Sequence, residues 1–335
     1  MNMIYVNQAQ KPKQSIAKRS SSGTNRSPFI KTHEQQAQYE PIPTRQEQIY
    51  KKTCEDLRQK IKTFNQLQRC NIIIFGPSGS GKSSLIRTFN TSLNQTQTLP
   101  EALCIKDLLH NEGTKHFQSI NLLQSTKNQI FSKMNSHLIQ NCQINILDTR
   151  GQINLSSKEN KQVELMLEGK VKNMSLVEQR TYRYAYKLWE FWKQDCELFP
   201  QEIISCGTYI PHQVLIVFDG SLDKVPNGKE EIEFYQQILS LVKQKGYDNP
   251  FIILTQLDKL EYKFRHHDDY QLYVDQRIES IVQSLKIPRE SVFFIENYHG
   301  QQQSSELDYQ ALRLLYECLQ QASKYQIQSV ECKFF

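Results

Sequence analysis

The chain has 335 residues, of which 38% are apolar and 23% charged, and its formal net charge is +6. This apolar share can fill a core, which excludes a wholly disordered chain, and no apolar run approaches the roughly 20 residues that a membrane-spanning helix needs. The eight cysteines form no C-x-x-C pair, and the N-terminus shows no secretory signal. We therefore expect a cytoplasmic protein with reduced thiols, without a disulfide framework or a zinc site.

Residues 1–48 differ in composition from the rest of the chain. They are rich in Gln, Ser, Lys and Pro, show no apolar period, and contain seven basic and three acidic residues. This composition predicts a disordered or extended basic arm. Such an arm is either a solvated tail or an anchor to a partner assembly, such as a cytoskeletal filament or a cilium. The remaining 34 basic and 32 acidic residues nearly balance, which argues against nucleic acid as a partner.

From residue 49 onward the pattern is that of a folded domain. Apolar residues recur every three or four positions over 49–69, which predicts an N-terminal helix. Five β-branched or aromatic runs follow and predict strands; they lie at 71–75, 144–148, 213–219, 250–255 and 292–296. Amphipathic patterns predict helices over 230–243, 270–285 and 307–325, and residues 327–335 are predicted to be a C-terminal tail.

Apolar strands that alternate with amphipathic helices predict an α/β domain over 70–326, with a mainly parallel sheet covered by helices on both faces. The long stretch at about 152–212 is predicted to be a helical insertion between the second and third strands. It contains an aromatic cluster at 181–193. Such a cluster forms either local core or a surface for a partner.

Residues 76–83 match the phosphate-binding pattern G-x-x-x-x-G-K-[ST] between a predicted strand and a predicted helix. Glycines let successive backbone N–H groups point at phosphate oxygens, and the helix N-terminus favours negative charge. Lys82 is expected to bridge the β- and γ-phosphates, and the Ser83 hydroxyl to ligate Mg²⁺. The predicted phosphate-binding residues are Gly76, Pro77, Ser78, Gly79, Ser80, Gly81, Lys82, Ser83 and Ser84.

A D-x-x-G sequence at 148–151 closes the second predicted strand. Asp148 is expected to hold the metal, and the Gly151 N–H to contact the γ-phosphate, so that this loop senses hydrolysis. Gln152 follows and can orient an attacking water, although chance explains it equally well in a chain with 39 glutamines. A second loop should close over the metal, and Thr114 is its candidate ligand, in competition with Ser119 and Thr126.

Residues 255–258, T-Q-L-D, resemble the [NT]-K-x-D element of GTPases. The Asp258 carboxylate can accept from both donors of guanine, a pair that adenine lacks, which predicts guanine as the base. Thr255 and Gln256 belong to the same loop, but Gln256 lacks the charge of the usual Lys, so we expect weaker binding. The alternative is that Asp258 caps a helix. Asn297, after the last strand, is the candidate for the last base loop.

The order of these elements resembles that of a translation-factor-class G domain. More narrowly, it resembles the interferon-induced protein 44 family of G-domain proteins, which shows a similar L-G-I-P, strand, N-Y, L-D succession. The resemblance implies GTP or GDP with Mg²⁺ as cofactors and an unidentified protein partner, without implying hydrolysis. It covers about 70–325 and rests on 76–83, 148–151, 212–219, 253–258, 285–288, 292–296, 297–298 and 306–308. That family leads us to expect an apolar residue at position 152.

Three functions fit the sequence. The first is a Mg²⁺-dependent GTP-binding protein with slow hydrolysis, which acts as a partner-regulated switch and uses Lys82, Gly151 and Gln152 in catalysis. The second is a non-hydrolysing G-domain module that its basic arm ties into a larger assembly. The third is an ATP-dependent P-loop enzyme.

Overall fold

The computed structural model describes residues 45–96, 116–123, 142–149, 151, 157–171, 173, 175–176, 207–261, 263–264, 266–298 and 303–331. The basic arm predicted over 1–48 lies outside these residues up to position 44. Of the predicted insertion, residues 152–156, 172, 174 and 177–206 lie outside them, including the aromatic cluster at 181–193.

The described residues form a seven-stranded sheet and seven α-helices. The strands are β1 (Arg69–Phe75), β2 (His116–Asn121), β3 (Gln143–Asp148), β4 (Ser175–Leu176), β5 (Gln213–Asp219), β6 (Phe251–Thr255) and β7 (Val292–Phe294). The helices are α1 (Arg45–Lys62), α2 (Lys82–Asn94), α3 (Ser157–Leu167), α4 (Gly228–Gln244), α5 (Asp258–Glu261), α6 (His267–Leu285) and α7 (Ser305–Glu331). None of these helices combines the length and the apolar character that a membrane span requires.

The strand order in the sheet is β4-β2-β3-β1-β5-β6-β7. Five neighbouring strands of this order, β3, β1, β5, β6 and β7, pair in parallel. The strand β2 pairs antiparallel with both β3 and β4. Both faces of the central strand are buried, because Ile72 and Ile74 contribute to one core cluster and Ile73 and Phe75 to the other. This explains why the central strands read as continuous apolar runs in the sequence.

Helices cover both faces of the sheet. One core cluster contains side chains of α1, α2 and α7, and the other contains side chains of α3, α4 and α6. The loop at 76–83 joins the central strand β1 to α2. A mainly parallel sheet, one antiparallel strand beside β3, and this loop after the first strand define a P-loop NTPase G domain, which confirms the predicted fold class.

The first helix is displaced from the predicted 49–69, because α1 spans Arg45–Lys62. Phe64 and Leu67 are buried, as the apolar spacing indicated, but they lie in the connection between α1 and β1. The Phe64 carbonyl accepts a hydrogen bond from the Cys142 N–H at 3.1 Å, just before β3. The apolar spacing therefore continues beyond the C-terminal end of the helix, since the connecting segment buries side chains of its own.

The last helix is longer than predicted, and this corrects the tail expected over 327–335. The helix α7 continues to Glu331. Ile327 is 57% exposed, so the apolar period stops before the helix does. The segment contains neither Gly nor Pro up to Glu331, and such residues are the usual reason for a helix to end.

The two ends of the predicted insertion meet on the α4 side of the sheet. Its first part is core, because Val163 and Met166 of α3 are buried in the domain. The backbone turns at Gly169, whose φ is +67°, and a Cβ there would lie 2.7 Å from the backbone N of Ile210. The Tyr247 hydroxyl donates to the Pro211 carbonyl at 2.9 Å. The chain thus passes Ile210 at Gly169 and then contributes β4 to the sheet, so the insertion is shorter than 152–212. Phe117 of β2 pairs with Ser175 of β4, and its ring centroid lies 6.3 Å from that of Tyr209, so both flanks of 177–206 lie close to Phe117.

Candidate nucleotide-binding site

The loop at 76–83 fits its place only because of its glycines. Gly76 has φ +144°, and a Cβ there would lie 2.1 Å from the Val217 carbonyl oxygen of β5. Gly81 has φ +87°, and its Cβ would lie 3.0 Å from Thr255 Oγ1. Both positions combine a left-handed backbone with close neighbours, so a side chain would be strained on two counts. The loop ends where α2 begins, at Lys82.

Lys82 lies inside this loop. Its Nζ donates to the Gly76 carbonyl at 3.0 Å and to the Pro77 carbonyl at 2.7 Å. Burial lowers the pKa of Lys82 to about 8, against the opposing effect of the Asp148 carboxylate. The ammonium is thus held at the centre of the phosphate cradle by two carbonyls and one carboxylate neighbour.

The expected metal ligands meet at the carboxyl ends of β1 and β3. Ser83 Oγ donates to Asp148 Oδ2 at 3.1 Å, and Asp148 is buried. The next residue, Thr149, anchors the strand end because its hydroxyl donates to the Ile74 carbonyl at 2.6 Å. A hydroxyl and a carboxylate oxygen side by side match the hard oxygen donors that Mg²⁺ prefers, so these residues fit that ion.

Gly151 lies directly against the phosphate loop. A Cβ at this position would lie 2.4 Å from Ser78 Cα and 2.6 Å from Ser78 N. Only glycine allows such an approach, and the structure thereby brings the D-x-x-G loop next to the phosphate cradle. Arg150 and Gln152 lie outside the described residues, so the role of Gln152 stays a prediction.

The end of β6 is tied to the phosphate loop by two side chains. Thr255 Oγ1 donates to the Ser80 carbonyl at 2.7 Å. Gln256, in a left-handed conformation with φ +62°, donates from Nε2 to the Gly79 carbonyl at 3.0 Å. The predicted base loop and the predicted phosphate loop therefore form one bonded unit.

Asp258 stands at the first position of the short helix α5. Its Oδ1 is buried and has no hydrogen-bond partner among the described residues. A buried carboxylate oxygen without a donor is costly, and a ligand with N–H groups relieves that cost. The next residue, Lys259, donates from Nζ to Gln256 Oε1, a contact that the sequence did not indicate.

Asn297 is buried beside the phosphate loop, where it contacts protein groups. Its Oδ1 accepts from Thr88 Oγ1 at 3.2 Å, and its Nδ2 approaches the Gly81 carbonyl at 3.4 Å. These bonds hold the segment after β7 against α2, so its amide braces the site. The preceding Glu296 was not predicted; burial, with Asp258 and other carboxylates nearby, raises its pKa to about 7.

The expected second metal loop is only partly described. Thr114 and Thr126 lie outside the described residues. Ser119 lies within β2, paired with Leu147 of β3, and its backbone N–H donates to Asn173 Oδ1 at 2.8 Å. A cleft of about 320 Å³ adjoins the other side of the phosphate loop, where Ser78 and Gly79 face the segment after β5 that carries Lys224.

No protein-family model matches the chain, and no curated protein matches it either. Toc33 from Arabidopsis thaliana, solved with Mg²⁺ and GMPPNP, is 13% identical, covers 82% of this chain and 93% of its own, and has a TM-score of 0.43. The G domain of the T. maritima FeoB iron transporter is 15% identical, covers 76% and 99%, and has a TM-score of 0.32. Neither of these two proteins is named as a member of the interferon-induced protein 44 family, so the resemblance of this chain to that family stays a prediction.

Proposed function

We propose that this protein is a GTP-binding protein that uses Mg²⁺ and works as a nucleotide-dependent switch. The observation that carries the proposal is the bonded unit of phosphate loop and base loop, in which Thr255 and Gln256 hold the loop at 76–83. A nucleotide contacts both loops at once when they are held side by side. The two loops are preorganised for it, which reduces the entropic cost of binding.

The loop backbone and Lys82 bind the phosphate end of the nucleotide. The loop N–H groups and the α2 N-terminus favour negative charge, and the Lys82 ammonium is already directed into the cradle by its bonds to Gly76 and Pro77. Ser83 and Asp148 would hold Mg²⁺. The bound ion supplies positive charge that neutralises the β- and γ-phosphates.

Asp258 selects the base. Its buried, unsatisfied Oδ1 is an acceptor beside the loop that Gln256 fixes. Guanine offers an N1–H and an exocyclic amine on one edge, whereas adenine offers no such pair. A buried acceptor that stays unpaired with the wrong base discriminates strongly against it.

The proposed switch responds to the γ-phosphate through Gly151. This residue lies against Ser78, next to the phosphate cradle, and its N–H is placed in a segment that a γ-phosphate can order. We propose slow hydrolysis by in-line attack of water, with Lys82 stabilising the developing charge and Gln152 orienting the water. A protein partner completes the charge stabilisation and sets the rate.

The test is a competition between nucleotides, together with a change of the base acceptor. The purified protein should retain GTP or GDP, and unlabelled GTP should displace a fluorescent GDP analogue far better than ATP does. Asp258→Asn should weaken GTP by about 2–3 kcal/mol, because an amide N–H then faces a guanine donor. Xanthosine triphosphate, which carries a carbonyl there, should bind the variant better than it binds the wild type.

Two results would overturn the proposal. Equal competition by ATP and GTP in the wild-type protein would favour an ATP-dependent P-loop protein. Unchanged nucleotide affinity in Lys82→Ala would mean that the loop at 76–83 does not bind phosphate, since the loss of a charge-assisted contact should cost at least about tenfold in affinity.

A further inference from the structure

Gln256 occupies the position where GTPases of this kind carry a lysine, and its amide has two different contacts. Nε2 donates to the Gly79 carbonyl of the phosphate loop at 3.0 Å, and Oε1 accepts from Lys259 Nζ. Gln256 is only 9% exposed, so its amide depends on these protein partners.

The chemistry of the two partners fixes the orientation of the amide. An ammonium can only donate, and therefore the carbonyl oxygen of Gln256 must face Lys259. A backbone carbonyl can only accept, and therefore the amide nitrogen must face Gly79. With a neutral or apolar residue at position 259, only the Gly79 carbonyl would still fix this orientation, because it would repel an Oε1 that faced it.

A cation on the oxygen of an amide also changes the strength of its other end. It polarises the amide, so that the N–H becomes a stronger donor, as in other chains of hydrogen bonds. Lys259 therefore provides the positive charge that a lysine at position 256 would bring, and this charge acts on the Gly79 carbonyl by polarising the Gln256 amide. The backbone helps, because the Lys259 N–H donates to the Gln256 carbonyl at 3.2 Å and keeps the two residues in one turn.

We propose that Lys259 is a positioning residue for the base, and that together with Gln256 it replaces the lysine missing from the T-Q-L-D element. The inference rests on the proposed binding of guanine nucleotides. Lys259 holds the loop that carries Asp258 in register with the phosphate loop, so the carboxylate meets the base while the phosphates lie in the cradle. The expected weakness of a glutamine at position 256 is thereby offset.

The test measures the affinity of Lys259→Met for GTP and for GDP by titration calorimetry. We expect a loss of about fivefold, equivalent to about 1 kcal/mol, and the same factor for both nucleotides, because the brace acts on the base side. Lys259→Arg keeps a cationic donor and should retain most of the affinity. Lys263→Met is the matched control, since it removes an exposed positive charge four positions further on.

A bypass experiment separates positioning from general destabilisation. In a Gln256→Lys background the cation sits directly at the Gly79 carbonyl, so adding Lys259→Met should no longer lower the affinity. Equal affinities of Lys259→Met and wild type, or an equal loss with and without Gln256→Lys, would overturn the inference. A wild-type protein that binds no guanine nucleotide would instead overturn the proposed function, and the inference with it.

Discussion

The Lys82 side chain contacts its own loop and is also the cation of the proposed phosphate site. Its ammonium donates to two carbonyls of that loop, which holds the glycine-containing turn closed around it. The cost of this burial is visible in the lowered pKa of Lys82, about 8. Phosphate oxygens favour the charged form, so binding of a nucleotide should draw a proton onto this nitrogen.

Proton uptake on binding is therefore expected at alkaline pH. At pH 8.5 most Lys82 side chains of the free protein are neutral when the pKa is about 8, and binding of GDP should take up most of one proton. At pH 7 the uptake should vanish, because the lysine is already charged. Calorimetric titrations in two buffers of different ionisation enthalpy measure this number. Lys82→Arg, which stays protonated, should show no uptake at either pH.

Gln152 carries the prediction on hydrolysis. If its amide orients the attacking water, its effect belongs to the transition state, and binding of the ground state should hardly depend on it. Gln152→Leu should then keep the GTP affinity, while single-turnover hydrolysis falls at least tenfold, equivalent to roughly 1.4 kcal/mol of barrier. Equal rates in variant and wild type would make Gln152 one of many surface glutamines. The assay should include the native partner once it is known, because a partner can supply an arginine.

At the scale of elements, α1 is bound to the domain by a buried cation. The Arg58 guanidinium of α1 donates to the Ser92 carbonyl of α2 at 2.7 Å and pairs with Asp308 of α7. Asp308 also accepts from the Tyr298 hydroxyl at 2.8 Å, just after β7. Arg58 and Asp308 are both buried. One ion pair thus joins two helices to the segment that follows the last strand.

Removal of the cation alone should be severe. Arg58→Met leaves the Asp308 carboxylate buried without its charge partner, which typically costs about 3–5 kcal/mol of unfolding free energy. The double variant Arg58→Met with Asp308→Leu should recover most of this loss, because no uncompensated charge remains. Lys52→Met on the exposed side of α1 is the control and should change stability little. Urea unfolding measures all four proteins; equal stabilities of the single and double variants would contradict the argument.

The elements that could be predicted are those with a local signal. The strands β5 and β6 are nearly continuous apolar runs, because helices cover both faces of the sheet. The antiparallel β2 could not be predicted, since its six residues include only two apolar side chains, Phe117 and Ile120, which lie three positions apart and show no alternation. The phosphate loop could be predicted because its glycines act locally. The bond from Thr255 to Ser80 joins residues 175 positions apart, so it depends on the assembled sheet.

For the molecule as a whole, two partly buried groups influence the pH dependence of stability in opposite directions. Burial lowers the pKa of His212 to about 4, with a smaller contribution from Arg69, and its Nδ1 accepts from the Asn71 N–H at 3.0 Å. The unfolded pKa of 6.5 is higher, so the stabilising contribution is complete above pH 6.5 and is lost as the pH falls towards 4. Glu296, with its pKa raised to about 7, destabilises the fold as the pH rises from 4.5 towards 7.

A comparison with His212→Gln isolates the histidine, since Glu296 contributes equally to both proteins. The unfolding free energy of the wild type relative to this variant should fall by about 2 to 3 kcal/mol between pH 7.5 and 4.5. Urea titrations at a series of pH values give the two curves. Parallel curves would show that His212 does not remain neutral in the folded protein.

The position of Phe117 between Ser175 and Tyr209, which flank the segment 177–206, has a consequence for how this scaffold can diversify. A segment that departs from a body and rejoins it at one place can change in length without shifting any strand, because the entropy of closing a loop grows only with the logarithm of its length. Different intervening sequences can therefore be accommodated at this position while the sheet and the phosphate-binding loop stay the same. Recognition of other molecules can evolve there independently of the chemistry at the nucleotide.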